Sequence, residues 1–412
     1  MTTPTTPAAR NDGLALIKAR VLESVFDDLG VGLAKVRTLE TPPGMPATSG
    51  ASAIVGVPRE TKVIATCVPA MLDFARANVA ADGTLVVFCI GERTSEELAA
   101  LRNALWPEWH VVAHYKTSDT GILRVALDEK RELKRSTGMK GIAVVARPRA
   151  AAFAPEATIV KFDKNAAGWN GNPGGPGYRH FRWMRRYVAL FAGPVTPERV
   201  LDFGCGAGWV GIEAALAAPH GKQPELCAFD PSPELVRIAT ENAAAAGIAR
   251  FEGRTGFGEN PPFPAVGEAL FDLVLSSGVI SFSGDIPRWL DGLVSTLAPG
   301  GTLVIGDIHR ESVGMRERRT ERPLLPMREM NAQVREEVRL QLEARGLVFE
   351  AWCGYQLSQR LPQLNHLSAT RLGGALDPLL VWWNARASKR ELASGSRHQD
   401  RFDSWVMRLR RP

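Results

Sequence analysis

"VLDFGCGAGWVG" occupies residues 200–211. An apolar run carrying one acid breaks into four glycines within eight positions. A buried strand that turns through bare backbone into a helix lets N–H groups come close to a ligand. The first glycine step, Gly204, Gly206 and Gly208, is followed by the helical pattern "WVGIEAALAA" over 209–218. "GAGWVG" alone fits the spacing of a dinucleotide loop, and Asp230 lies 19 residues past Gly211, where a ribose-binding acid belongs. Asp202 argues against a dinucleotide. A carboxylate two residues before Gly204 repels a pyrophosphate and attracts an amine, directly or through water.

Outward from this loop, strand and helix alternate. "RVLDFG" (199–204) and "ELCAFD" (225–230) read as strands, and "PELVRIATENAAAAG" (233–247) as a helix. "ALFDLVLSS" (269–277) and "GTLVIGDI" (301–308) are further strands, with a helix over 286–300 between them. A helix over 334–346 and strands over 348–355 and 403–411 complete an α/β parallel sheet. The linker "WNGNPGGPG" (169–177) is too rich in Gly and Pro for regular structure, and a helical pattern follows over 178–193.

The chain resembles the class I S-adenosylmethionine-dependent methyltransferases over about 178–355. "VLDFGCGAG", "AFDPSPELVRIATENA" (228–243), "FDLVLSSGV" and "LAPGGTLVI" carry the likeness. The resemblance implies a Rossmann-like seven-stranded sheet with its last strand antiparallel. It also implies S-adenosyl-L-methionine as cofactor and S-adenosyl-L-homocysteine as product. Carried over position by position, Gly204, Cys205, Gly206 and Gly208 make room for the methionine part and Asp202 binds its amine. Asp230 takes the ribose hydroxyls, Pro231 lies against adenine, and Ser276 and Ser277 face the cofactor. The family often holds the adenine amine with an acid after its third strand. Here Arg254 stands in that place, so a backbone carbonyl or Glu259 is the expected substitute.

Methyl transfer from a sulfonium needs alignment and exclusion of water more than acid–base chemistry. Acceptor-side candidates are therefore Tyr178 and His180, before the first strand, and His309, just past Asp307. A packed helix start and a solvated loop histidine are the competing readings. Trp382 and Trp383 read as core within a helix over 366–385, and 309–330 as an insertion beside the site that could shape a pocket for an acidic substrate. "NPPF" (260–263) is a nucleobase-methyltransferase signature only directly after the fourth strand. Here it precedes that strand and reads as a proline-rich loop.

The first half echoes the second. "KVIATCVPAMLDFARANVAADGTLVVFCI" (62–90) repeats the strand, helix, Gly-Thr turn and strand of 272–308. A helix (95–107) and strands (109–117, 141–149) follow. Either all α/β units look alike, or this is a smaller α/β domain that is a degenerate partial copy without a cofactor loop. The expected layout is a disordered tail over 1–13, the N-terminal domain over 14–160 and the catalytic domain over 161–412.

At 412 residues, 45% apolar and 23% charged, a soluble globular chain is expected, with no membrane span. Five scattered cysteines without CxxC spacing suggest buried thiols, a cytoplasmic setting and no metal site. The net charge of +6 is largely local, in 315–323 and 407–412, and such runs read as solvated faces. The leading function is methyl transfer to an O or N acceptor of a small molecule. An RNA (rRNA-type) methyltransferase and a non-catalytic cofactor-binding scaffold are the alternatives. The role of 1–160 stays open between dimerisation, capping the pocket and binding substrate.

Overall fold

The computed structural model describes residues 25, 36–37, 52–57, 68–90, 94–106, 108–117, 122–125, 130–133, 141–149, 153–170, 185, 187–218, 222–312, 315, 330–355, 379, 386 and 404–412. The expected tail over 1–13, Tyr178, His180, the Gly-rich part of the linker, most of the 309–330 insertion, and Trp382 and Trp383 lie outside the described residues. Among the described residues no helix is long and apolar enough to cross a membrane. The cysteines among them, Cys89, Cys205, Cys227 and Cys353, are buried thiols outside any disulfide.

Two compact units meet in sequence between Ala152 and Phe153. The expected boundary at 160/161 is thus displaced, because the helix it would cut belongs with the second unit. That helix, Pro155–Lys164, buries Thr158 and Phe162, and Phe162 packs with Ala207, Leu235 and Ile238 of the later domain. Hydrophobic burial outweighs proximity in sequence to the first unit.

The first unit holds strands β1 (Val36–Arg37), β2 (Ser52–Val57), β3 (Leu85–Ile90), β4 (Trp109–Thr117), β5 (Ile122–Val125), β6 (Lys130–Leu133) and β7 (Gly141–Pro148). Helices α1 (Val68–Asn78) and α2 (Ser95–Leu105) join β2 to β4. Thr94 starts α2 by accepting the Glu97 N–H while the Glu97 carboxylate accepts that of Thr94. The sheet order is β1-β2-β3-β7-β4-β5-β6. Strands β2 and β3 are parallel, and β7 runs antiparallel to both β3 and β4.

In the second unit, α3 (Pro155–Lys164) and α4 (Ala166–Asn170) precede β8 (Arg199–Phe203), α5 (Trp209–Ala217), β9 (Glu225–Asp230), α6 (Pro233–Ala245) and β10 (Phe251–Thr255). Next come β11 (Phe271–Ser277), α7 (Ile286–Ser295), β12 (Leu297–Ile308), α8 (Arg335–Glu343), β13 (Val348–Tyr355) and β14 (Ser404–Arg410). The sheet order is β10-β9-β8-β11-β12-β14-β13. Its first five strands are mutually parallel, and β14 is antiparallel to both neighbours. This is the expected Rossmann-like sheet. Two boundaries differ from the sequence reading. The helix expected to 300 ends at Ser295, and β12 starts at Leu297 because Leu297 already pairs with Phe271. Trp169 and Asn170, expected in the linker, finish α4.

Apolar spacing explains the layers. Ile286, Trp289, Leu290 and Leu293 bury one face of α7, and Leu235, Ile238 and Ala239 one face of α6. The end of the chain is a solvated face only in part: Arg410 is exposed, but Met407 and Leu409 of β14 are fully buried, and the Arg408 Nε donates to Glu350 at 2.8 Å.

Candidate active site

Strand order reverses where β8 lies beside β11, and such a reversal opens a crevice at the carboxyl ends of the strands. A cavity of about 900 Å³, mouth included, lies there. Its strand-end wall includes Gly204, Cys205, Gly206, Asp230, Pro231 and Ser277. Gly204 and Gly208 have positive φ, 75° and 81°. A Cβ on Gly204 would run into the Val279 side chain, and one on Gly208 would stand 2.9 Å from the Ala239 Cβ. At Gly206 and Gly278, both on the cavity wall, a Cβ would meet nothing within 4 Å. The loop is therefore closed on its protein side and bare on its cavity side.

Asp230 ends β9 and is buried. Its Oδ2 accepts the Gly206 N–H at 2.9 Å and its Oδ1 the Ser232 N–H at 3.0 Å. Each carboxylate oxygen keeps a lone pair for a ligand hydroxyl. Burial pushes its pKa up to about 6 against the pull of those two N–H bonds, and Asp163 raises it further.

Asp202 lies behind the wall rather than on it: it is 1% exposed, and its Oδ2 accepts the Gly211 N–H at 2.8 Å in the first turn of α5. Burial raises it to about 7, while the Gly211 bond and Arg185 pull down. Ser276 is also behind the wall, its hydroxyl donating to the Phe203 carbonyl at 3.0 Å. Cys205 donates its N–H to the Phe229 carbonyl at 2.8 Å, and burial holds its thiol far above the ordinary range.

His309 does not reach the cavity. It is buried past the end of β12, bridged to Gln333, and its Nδ1 accepts the Glu311 N–H at 2.9 Å. This is neither the solvated loop histidine nor a wall residue, because backbone pairing folds it into a packed corner. Arg254 is likewise turned aside, bound by Glu252, Glu268 and the Pro262 carbonyl, with its guanidinium 4.0 Å from the Phe263 ring centroid. Glu259 does line the cavity and accepts the Ser283 hydroxyl. "NPPF" is structural: Phe263 is fully buried and meets the Phe271 ring edge-on at 6.2 Å.

Sequence reasoning missed the aromatic part of the lining. Thr158 and Phe162 of α3, Trp169 of α4, Phe282, Phe153 and Arg185 all line the cavity. Phe162 and Phe282 stand edge to face at 4.9 Å, with Trp169 5.6 Å from Phe162 and 6.4 Å from Phe282. The spacing 158, 162, 166, 169 is a helical face and could have signalled a covering helix.

Residues 177–351 match the family model described as a methyltransferase domain. These residues, less than half of the chain, are thus similar to a methyltransferase domain. Among curated relatives, aklanonic acid methyltransferase DauC from Streptomyces sp. (strain C5) is 32% identical over 127 residues, 31% of this chain and 56% of that protein. Biotin biosynthesis bifunctional protein BioCD from Bordetella avium is 31% identical over 144 residues, 33% of this chain and 28% of that one. The chain thus spans from about a quarter to just over half of these relatives' lengths. Among solved structures, N-methyltransferase NodS from Bradyrhizobium japonicum, with S-adenosyl-L-homocysteine, is 18% identical with a TM-score of 0.39. The match covers 62% of this chain and 98% of that one. The glycine bend and Asp230 fit a ligand that brings hydroxyls close to bare backbone, since the open face at Gly206 and Gly278 adjoins an acid whose oxygens keep lone pairs.

Proposed function

We propose that the chain transfers a methyl group from S-adenosylmethionine to an O or N acceptor of a small molecule. The observation that carries this reading is one cavity lined both by a bare glycine bend and Asp230 and by Phe162, Trp169 and Phe282. Bound there, the sulfonium cofactor would supply an already activated methyl group.

In this reading Asp230 holds the ribose through two charge-assisted hydrogen bonds. Pro231 lies against the adenine, and Glu259 or a backbone carbonyl meets its amine. Asp202 acts on the methionine amine through water from behind the wall. Arg185, a cation on the wall, takes the methionine carboxylate. The aromatic wall excludes water and packs against a flat, apolar acceptor, which it aligns for in-line attack. Tyr178 and His180 remain the candidates for an acceptor-side proton contact.

Calorimetry with S-adenosylhomocysteine, followed by transfer of labelled methyl over a panel of phenols, carboxylic acids and amines, tests the reading. Micromolar binding and label in one acceptor class support it; absence of binding overturns it. Binding without transfer to any acceptor favours the scaffold alternative.

Methylation of RNA is a second reading, favoured by one observation. The strand quartet β2-β3-β7-β4 has the same order and directions as β11-β12-β14-β13, as expected of a degenerate copy preceding an active one. Copurifying RNA whose binding falls steeply with salt would support it.

A further inference from the structure

We infer that Asp163 is a positioning residue for the cofactor acid: acting through Ser232, it fixes Asp230 for the ribose and ties the covering helix α3 to the cofactor turn. The inference rests on the cofactor reading above.

Ser232 is fully buried and is the N-cap of α6. Its N–H donates to the Asp230 Oδ1 at 3.0 Å, and its Oγ accepts the Leu235 N–H at 3.1 Å. The hydroxyl proton goes to the Asp163 Oδ1. The same Asp163 oxygen accepts the Glu234 N–H at 3.4 Å. Asp163 thus supplies a second carboxylate to the first turn of α6 from a different helix, where the helix dipole favours negative charge. Ser232 is held from three sides, and with it the N–H that orients Asp230. The neighbouring Phe162 is set into the cavity wall by the same attachment.

The connection has an electrostatic consequence that simple bracing would lack. The Asp163 charge raises the Asp230 pKa. Asp202 from β8 and the Cys205 thiol from the glycine loop also act electrostatically with Asp230, and Arg185 and Glu259 are the other charged groups on the same cavity lining. The ribose hydroxyls need Asp230 ionised, so affinity falls as pH drops through the Asp230 pKa. Removing the Asp163 charge lowers that pKa and moves the fall to lower pH.

The experiment is calorimetric titration of the full chain with S-adenosylhomocysteine between pH 5 and pH 8. Asp163→Asn keeps an oxygen for the Ser232 hydroxyl and loses the charge. Its acid midpoint should move down by about half a pH unit, so that it binds about threefold more tightly relative to wild type at pH 5 than at pH 8. Asp163→Glu should restore the wild-type midpoint. Ser232→Ala should weaken binding at pH 8 by roughly three- to tenfold. An unmoved midpoint in Asp163→Asn overturns the inference, whatever happens to its melting temperature. Should that variant fail to fold, Asp163→Ser gives the same reading. A wild-type chain that binds no S-adenosylhomocysteine overturns the cofactor reading first, and this inference with it.

Discussion

The two sheets share a quartet of strands and differ in what flanks it. In both, two parallel strands are followed by an antiparallel strand inserted before the next one, β2-β3-β7-β4 in one and β11-β12-β14-β13 in the other. The second sheet adds β8, β9 and β10 on the parallel side, and its glycine bend and Asp230 come from there. The first adds the antiparallel pair β5 and β6 on the other side and the short β1. The glycine bend and Asp230 lie at the ends of the unshared β8 and β9, while Ser277 and Gly278 on the same wall close β11 of the quartet.

The largest effect that would sharpen this contrast is on stability alone. Leu101 is fully buried in the α2 layer of the first sheet. Leu101→Ala should cost about 2–5 kcal/mol in denaturation of that unit, with S-adenosylhomocysteine affinity unchanged. A matching loss of affinity would break the division of labour. Next in size, Asp230→Ala should weaken cofactor binding by roughly 1.5–3 kcal/mol through two lost charge-assisted bonds, and calorimetry would show it. Third comes pH. Below about 6, where Asp230 takes up a proton, each unit of acidification should cost about 1.4 kcal/mol of cofactor affinity. The sign reverses for stability: a carboxyl raised by burial destabilises the fold as it ionises. Asp230, Asp307 and Asp202 together therefore make the fold lose stability as pH rises from about 4 through their pKa values of about 6, 6 and 7. The smallest effect is expected at Arg254. Its ion pairs lie off the wall, so Arg254→Ala should change cofactor affinity by less than about 0.5 kcal/mol.

The legible parts of the sequence were local. The bend at Gly204 to Gly208 and the acid ending β9 announce themselves, because backbone approach and charge are set within a few residues. The covering segment was not legible. Phe162 and Trp169 reach the cavity only because α3 packs on α6, a contact made across more than sixty residues of chain. The same holds for His309: its position after a strand pointed to the site, and the bridge to Gln333 took it elsewhere. Asp202 shows the finer limit. Sequence placed an acid beside the loop, but only packing decides which side of the wall it occupies.

One consequence of the β14 insertion concerns synthesis on the ribosome. The strand placed between β12 and β13 is the last to be translated of the second sheet. Until it emerges, the edges of β12 and β13 stand open side by side, with no partner for their amides and carbonyls. The second unit should therefore acquire its protease-resistant form in a late, single step, and nascent chains stalled before 404 should depend most on chaperones.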